Sequence, residues 1–231
     1  MASPRYVGFN NDTIGFLKEL KANNNRDWFK LHKPRYEELV LDVALRFIQS
    51  MQGPLAEFAP HFVAVPTRIG GSLMRVYRDT RFSKNKLPYK TNIGIQFRHE
   101  QAKDVHSPGY YVHVAPDSVF LGAGMWMPAA DPLRGIRERI ANKPTEWKRV
   151  LSDKSFKRHF KLGGESLTRP PRGFDKNHVL IDDIKRKSFI AVKNMDVSAC
   201  LNPRFQQKVE TAFKSATLYM QFLCKSVGVP F

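Results

Sequence analysis

The chain has 231 residues, a formal net charge of +17 and an isoelectric point near 10.0. Hydrophobic residues make up 42%, and Gly and Pro number 14 and 15, which excludes a disordered, collagen-like or low-complexity chain. No stretch approaches the ~18 consecutive apolar residues of a membrane span, so no membrane insertion is expected.

The opening residues, Met1 to Val7, lack the apolar core of a secretory signal. Two cysteines, Cys200 and Cys224, are too few for a disulfide-stapled secreted domain. Both are read as buried or incidental thiols of a cytoplasmic protein. Asn11-Asp12-Thr13 matches a glycosylation sequon but is read as a helix start, capped by Asn11 or Asp12.

That first helix carries Ile14, Leu17 and Leu20 inward. Asn23-Asn24-Asn25 breaks it, because Asn tolerates the left-handed conformation and bonds its own backbone. Asp27 is expected to cap a turn holding Trp28 and Phe29, two residues read as core. Pro34 suits the first position of a longer helix with Tyr36, Leu39, Val40, Val43 and Phe47 at helical spacing. Gly53-Pro54 ends it.

The middle of the chain changes to short runs of strand formers: 62–65, 73–77, 92–97, 110–114 and 119–121. Pro116-Asp117-Ser118 joins the last two as a hairpin, and the short links suggest an antiparallel meander. Gly122-Ala123-Gly124 lacks the third glycine of a dinucleotide loop and reads as a bend, with Trp126 bordering a pocket.

Helices then return. Asp131-Pro132 starts one with Leu133, Ile136 and Ile140, and Thr145 another with Trp147, Val150 and Leu151. Residues 163–177 read as loop. Leu180, Ile181 and Ile184 mark a third helix, before a strand over 189–192. Asn202-Pro203 opens the clearest helix, with Phe205, Val209, Ala212, Phe213, Ala216, Met220 and Leu223 inward, closed by Lys225 and Gly228. No repeat is visible. The expected fold is α+β: a single domain over 1–231, a mainly antiparallel sheet flanked by N-terminal and C-terminal helices.

The densest chemical feature lies between Arg68 and Arg98, where eight basic residues meet one acid, Asp79, for a local charge of +7. Arg75, Arg78, Arg81 and Lys90 offer positive donors, and an arginine fork matches carboxylate or phosphate in two places. On a strand, Arg75, Tyr77, Asp79 and Arg81 share a face, with Arg78 opposite. Asp79 is expected to hold two arginine forks. Ser83, Lys86 and Tyr89 add donors, and Arg26 completes the cradle from the helical part. The competing reading is a charged strand edge that blocks aggregation.

Asn24-Asn25-Arg26-Asp27-Trp28-Phe29 and Arg78-Asp79-Thr80-Arg81-Phe82-Ser83-Lys84-Asn85-Lys86-Leu87-Pro88-Tyr89-Lys90 resemble the widespread bacterial and fungal family DUF2461. The resemblance runs through Tyr110-Tyr111, residues 122–128, Arg134 or Arg137, then Pro171, Gly173-Phe174 and His178. It implies one intact domain with a motif-centred site, and it supplies no reaction.

His99, His106 and His113 have no acidic or Cys/His partner at ligand spacing, so no metal site is expected. His113 is read as facing the same cleft or as a satisfied imidazole. There is no P-loop, Gly-x-Ser-x-Gly elbow or Lys-x-Asp-Gly motif. No cofactor is identified.

The expected partner is an anionic small molecule bearing phosphate or carboxylate, held in an Arg-rich cleft. If chemistry occurs, Tyr89 or Lys86 would act as acid or base with a lowered pKa. The alternative is nucleic acid on a broad basic surface that includes Lys148, Arg149, Lys154, Lys157 and Arg158, with Phe156 and Phe160 packing inward. A protein-interaction module is the third class.

Overall fold

Six strands form one sheet in the order β1-β2-β3-β4-β6-β5, every neighbour antiparallel. They are β1 (Phe62–Val63), β2 (Ile93–His99), β3 (Gly109–Val114), β4 (Val119–Met125), β5 (Lys161–Gly163) and β6 (Phe189–Met195). This computed structural model describes residues 6, 8–102 and 104–231. The opening segment read above for a signal lies, apart from Tyr6, outside them.

Alternation sets the two faces of the sheet. Ile93, Ile95, Phe97, Tyr110, Val112, Leu121, Ala123, Phe189 and Ala191 are buried on one face. Helices cover it: Tyr110 lies 4.7 Å from Phe213, and Trp147 packs edge-on to Phe189. The arrangement is α+β, with helices from both ends of the chain on one core.

The N-terminal helices are α1 (Asn11–Ala22), α2 (Arg26–Tyr36), α3 (Asp42–Ser50) and α4 (Gln52–Phe58). Their caps differ from the expected ones. Asn10, one residue earlier, caps α1 by accepting from Thr13 N–H, and Asn25 rather than Asp27 caps α2 by accepting from Trp28 N–H. In both cases the extended residue just outside the helix supplies the acceptor. None of Asn23, Asn24 and Asn25 has positive φ, so the break between α1 and α2 does not use the left-handed region.

Pro34 lies inside α2 instead of opening a helix, and a wide π-type turn over Glu37–Leu41 follows before α3. Proline removes one helical hydrogen bond, and the turn after it widens to the π-type pattern. Gly53-Pro54 does not end a helix but sits in the first turn of α4, where a missing N–H costs nothing.

In the C-terminal half stand α5 (Ala130–Asn142), α6 (Pro144–Ser152), α7 (Lys154–His159), α8 (Ile181–Ile184), α9 (Ser198–Leu201), α10 (Phe205–Ser215) and α11 (Thr217–Ser226). The last long helix expected is therefore two. Ser215 Oγ and Thr217 Oγ1 donate to the carbonyls of Ala212 and Lys214, three residues back, and the axis breaks at Ala216. Cys200 and Cys224 are both buried and free. Among the described residues no helix is long and apolar enough to cross a membrane.

Three strand readings change. Residues 73–77 make only isolated bridges, Leu73 to Ile95 and Tyr77 to Tyr89. Residues 122–124 are not a bend: β4 continues through them to Met125, in register with β6. The 163–177 loop begins with the end of an unexpected edge strand, β5.

Candidate functional site

The bridge between Tyr77 and Tyr89 closes a loop that carries most of the charged motif. Arg78 N–H donates to Pro88 O at 2.9 Å, and Lys90 N–H donates to Val76 O at 2.7 Å. Across from this clasp lies the start of α2. The Asn24 amide donates to Tyr89 O (3.0 Å) and accepts from Tyr89 N–H (3.1 Å), so one side chain stands in for a neighbouring strand. Phe29 stacks on the Tyr89 ring at 4.1 Å. The motif loop and α2 are thus fastened at one point.

Asn24→Ala is expected to lower stability by about 2 kcal/mol, because two partly buried backbone groups lose their partners. Asn24→Asp should not rescue, since a carboxylate accepts but cannot donate to Tyr89 O. Urea unfolding with amide exchange at Tyr89 checks both.

Beside the clasp is a pocket of about 400 Å³ lined by Arg26, Lys30, Tyr77, Arg78, Thr80, Pro88 and Tyr89. No acid lines it. Arg26, Lys30 and Arg78 form no ion pair among the described residues. Arg26 and Lys30 stand four residues apart on α2, a like-charge spacing that costs an isolated helix ~0.2–0.5 kcal/mol. A wider concavity adjoins it, sharing Arg26, Thr80 and Pro88 and adding Lys84 and Lys86.

Of the nine residues expected at the site, Arg26, Arg78 and Tyr89 line the pocket and Lys86 lines its neighbour. Arg75, Asp79, Arg81, Ser83 and Lys90 line neither. Lys86 Nζ donates to Thr80 O at 2.9 Å and braces the loop. Asp79 holds one arginine fork, not two: Arg81 Nε and Nη2 reach its two oxygens at 3.0 and 2.7 Å. The pair is exposed.

Hydrogen bonds from Arg81 hold the Asp79 carboxyl down at about 2. A carboxylate depressed in the folded state stabilises above its unfolded pKa and loses that contribution as pH falls through the folded value. The Asp79 side-chain carbon should therefore titrate near pH 2 by NMR, and Arg81→Ala should return it upward to the ordinary Asp range.

Tyr89 does not suit the acid–base role raised from sequence. Burial comes first among the causes that push its hydroxyl pKa up, and the nearby Arg26 only partly opposes it. Among the motif's basic side chains Lys90 has its pKa lowered, through burial and then Arg75. No nucleophile–base pair lines the pocket, whose lining carries three cations and no acid. Among the described residues no three His, Cys, Asp or Glu side chains gather as for a metal ion.

Lys30 and Thr80 were not expected at the site, and Tyr77 was expected only to share a strand face with Arg75. Lys30 was findable as the residue one helical turn beyond Arg26. The open face of the sheet escaped the sequence reading. Tyr111, Phe120, Gly122, Gly124, Trp126, Ile190 and Val192 are among the residues lining an apolar groove of about 550 Å³ there. Trp126 does border a pocket, though this one lacks the cations. His113 stacks on Phe120 at 4.4 Å, with Tyr111 Oη 3.4 Å away, and lines neither concavity of the cation site.

The model of the family described as "Conserved hypothetical protein (DUF2461)" matches residues 12–222 of the chain. The chain belongs to this family. The match takes in both partners of the clasp, Asn24 and Tyr89, and every residue of the pocket, so the site lies within the DUF2461 part of the chain. No curated protein matches the chain.

Proposed function

We propose that this DUF2461 protein binds a small anion, a phosphorylated or carboxylated molecule, in the pocket between α2 and the Arg78–Pro88 loop. The observation that carries the reading is the convergence of three cations without acid partners, Arg26, Lys30 and Arg78, on one concavity. Arginine forks pair with anionic oxygens at two points, and Lys30 adds a point charge. Tyr77 and Tyr89 supply flat walls, backed by Phe29.

The second reading, nucleic acid on a broad surface, draws on α6 and α7. Lys148, Arg149, Lys154, Lys157 and Arg158 are all exposed there, while Phe156 and Phe160 are buried. The two readings part on salt. A surface that neutralises six or more phosphates loses about a thousand-fold in affinity between low and moderate salt. Equilibrium titration with inorganic phosphate and with a generic DNA duplex across a salt series is the test. The pocket reading expects one saturable phosphate site and weak, non-saturating DNA binding. Tight, steeply salt-dependent DNA binding without a phosphate site would replace it with the second reading.

A further inference from the structure

Two segments marked by family resemblance, one holding Arg134 and Arg137 and the other spanning Pro171 to His178, take no part in the pocket above. The fold brings them together on a separate cavity of about 680 Å³ between α5 and the 171–178 loop. We infer that this cavity is a second binding site, for the carboxylate of a small organic acid, with Arg137 as its anchor.

Three arginines of this region have matched acids. Arg134 pairs with Glu138, Arg139 with Glu146, and Arg186 with Asp183. Arg137 has none among the described residues. Its Nη2 donates to Arg186 O at 2.9 Å, which fixes the guanidinium, and its Nε is buried with no hydrogen-bond partner. A guanidinium keeps its proton at any working pH, so its charge stays partly desolvated and uncompensated. Arg172 stands exposed in the same lining, also without an ion pair.

The cavity wall is built to hold its shape. His178 Nδ1 accepts from Leu180 N–H at 3.0 Å, which assigns the proton to Nε2, and Nε2 donates to Ala141 O of α5 at 3.2 Å. Both ring nitrogens are occupied, so His178 latches the loop to the helix. Phe174 packs against the core from the same loop.

The lining also selects the anion. Glu138, paired with Arg134, and Asp175 both line the cavity, so a phosphate dianion meets more like charge there than a monoanionic carboxylate does. Phe174 and Ala141 give the carbon skeleton an apolar wall.

Calorimetric titration of the full chain with sodium benzoate, and separately with inorganic phosphate, tests the assignment. Benzoate is expected to bind saturably in the low millimolar range. Arg137→Lys keeps the charge but loses the fork, and should weaken benzoate about ten-fold. Arg172→Ala, an exposed change that leaves the core untouched, should weaken it about three-fold. Lys18→Ala, an equal loss of charge on α1, should not change it. The proposal is overturned if benzoate gives no saturable heat, if neither arginine variant weakens it, or if phosphate displaces benzoate from this cavity at lower concentration.

Discussion

Arg26→Ala combined with Arg78→Ala is expected to weaken inorganic phosphate binding by about a hundred-fold, while Arg81→Ala changes it less than about three-fold. The contrast follows from where the guanidinium groups point. Arg26 and Arg78 line the pocket with no acid to share, so each charge-assisted contact is available to a ligand. At about 1.4 kcal/mol each, their loss gives a factor of ten apiece. Arg81 turns its Nε and Nη2 to Asp79 and lines no part of the pocket. Reading the motif as a simple row of arginines predicts equal effects from Arg78 and Arg81, so the difference between the two variants checks the geometry directly. Removing Arg26 also separates it from Lys30, so the double variant should not lose thermal stability through α2.

Gly124→Ala is expected to destabilise the protein by more than about 4 kcal/mol, with Gly122→Ala costing about 1 kcal/mol or less. The two glycines are two residues apart on β4. At Gly124 φ is +130°, and an added Cβ would lie 2.0 Å from the Phe189 carbonyl oxygen, which is backbone and cannot swing aside. At Gly122 the nearest atom is the Tyr111 Cβ at 3.4 Å, ordinary contact. Denaturant midpoints of the two variants separate a backbone clash from the general cost of altering a strand glycine.

The elements of the core were legible because burial leaves a period. The stripe Phe205, Val209, Ala212, Phe213 was legible from its spacing and the strand Tyr110 to Val114 from its run of strand formers, and their order along the chain gave the α+β arrangement. Boundaries fared worse where a side chain competes with the main chain. Asn10 and Asn25 cap helices from one residue outside them, and Ser215 and Thr217 break a continuous apolar stripe. The strand through Gly122 and Gly124 was hidden because glycine signals a bend unless its pairing with β6 is known.

At the site, residue chemistry was visible but direction was not. Composition marked Arg75 to Lys90 as basic, yet only the bridge between Tyr77 and Tyr89 decides that Arg78 enters the pocket while Arg75 and Arg81 stay out. Asn24 illustrates the same limit. Its local sequence reads as a helix breaker, but its amide works across 65 residues of chain.

The most direct test of the anion pocket is the set of arginine side-chain Nε–Hε resonances followed by NMR during titration with inorganic phosphate. The pocket predicts that Arg26 and Arg78 shift together and saturate with one affinity, while Arg81, Arg149 and Arg158 stay in place. Shifts led by Arg149 and Arg158, or saturation with Arg26 and Arg78 unmoved, would contradict it.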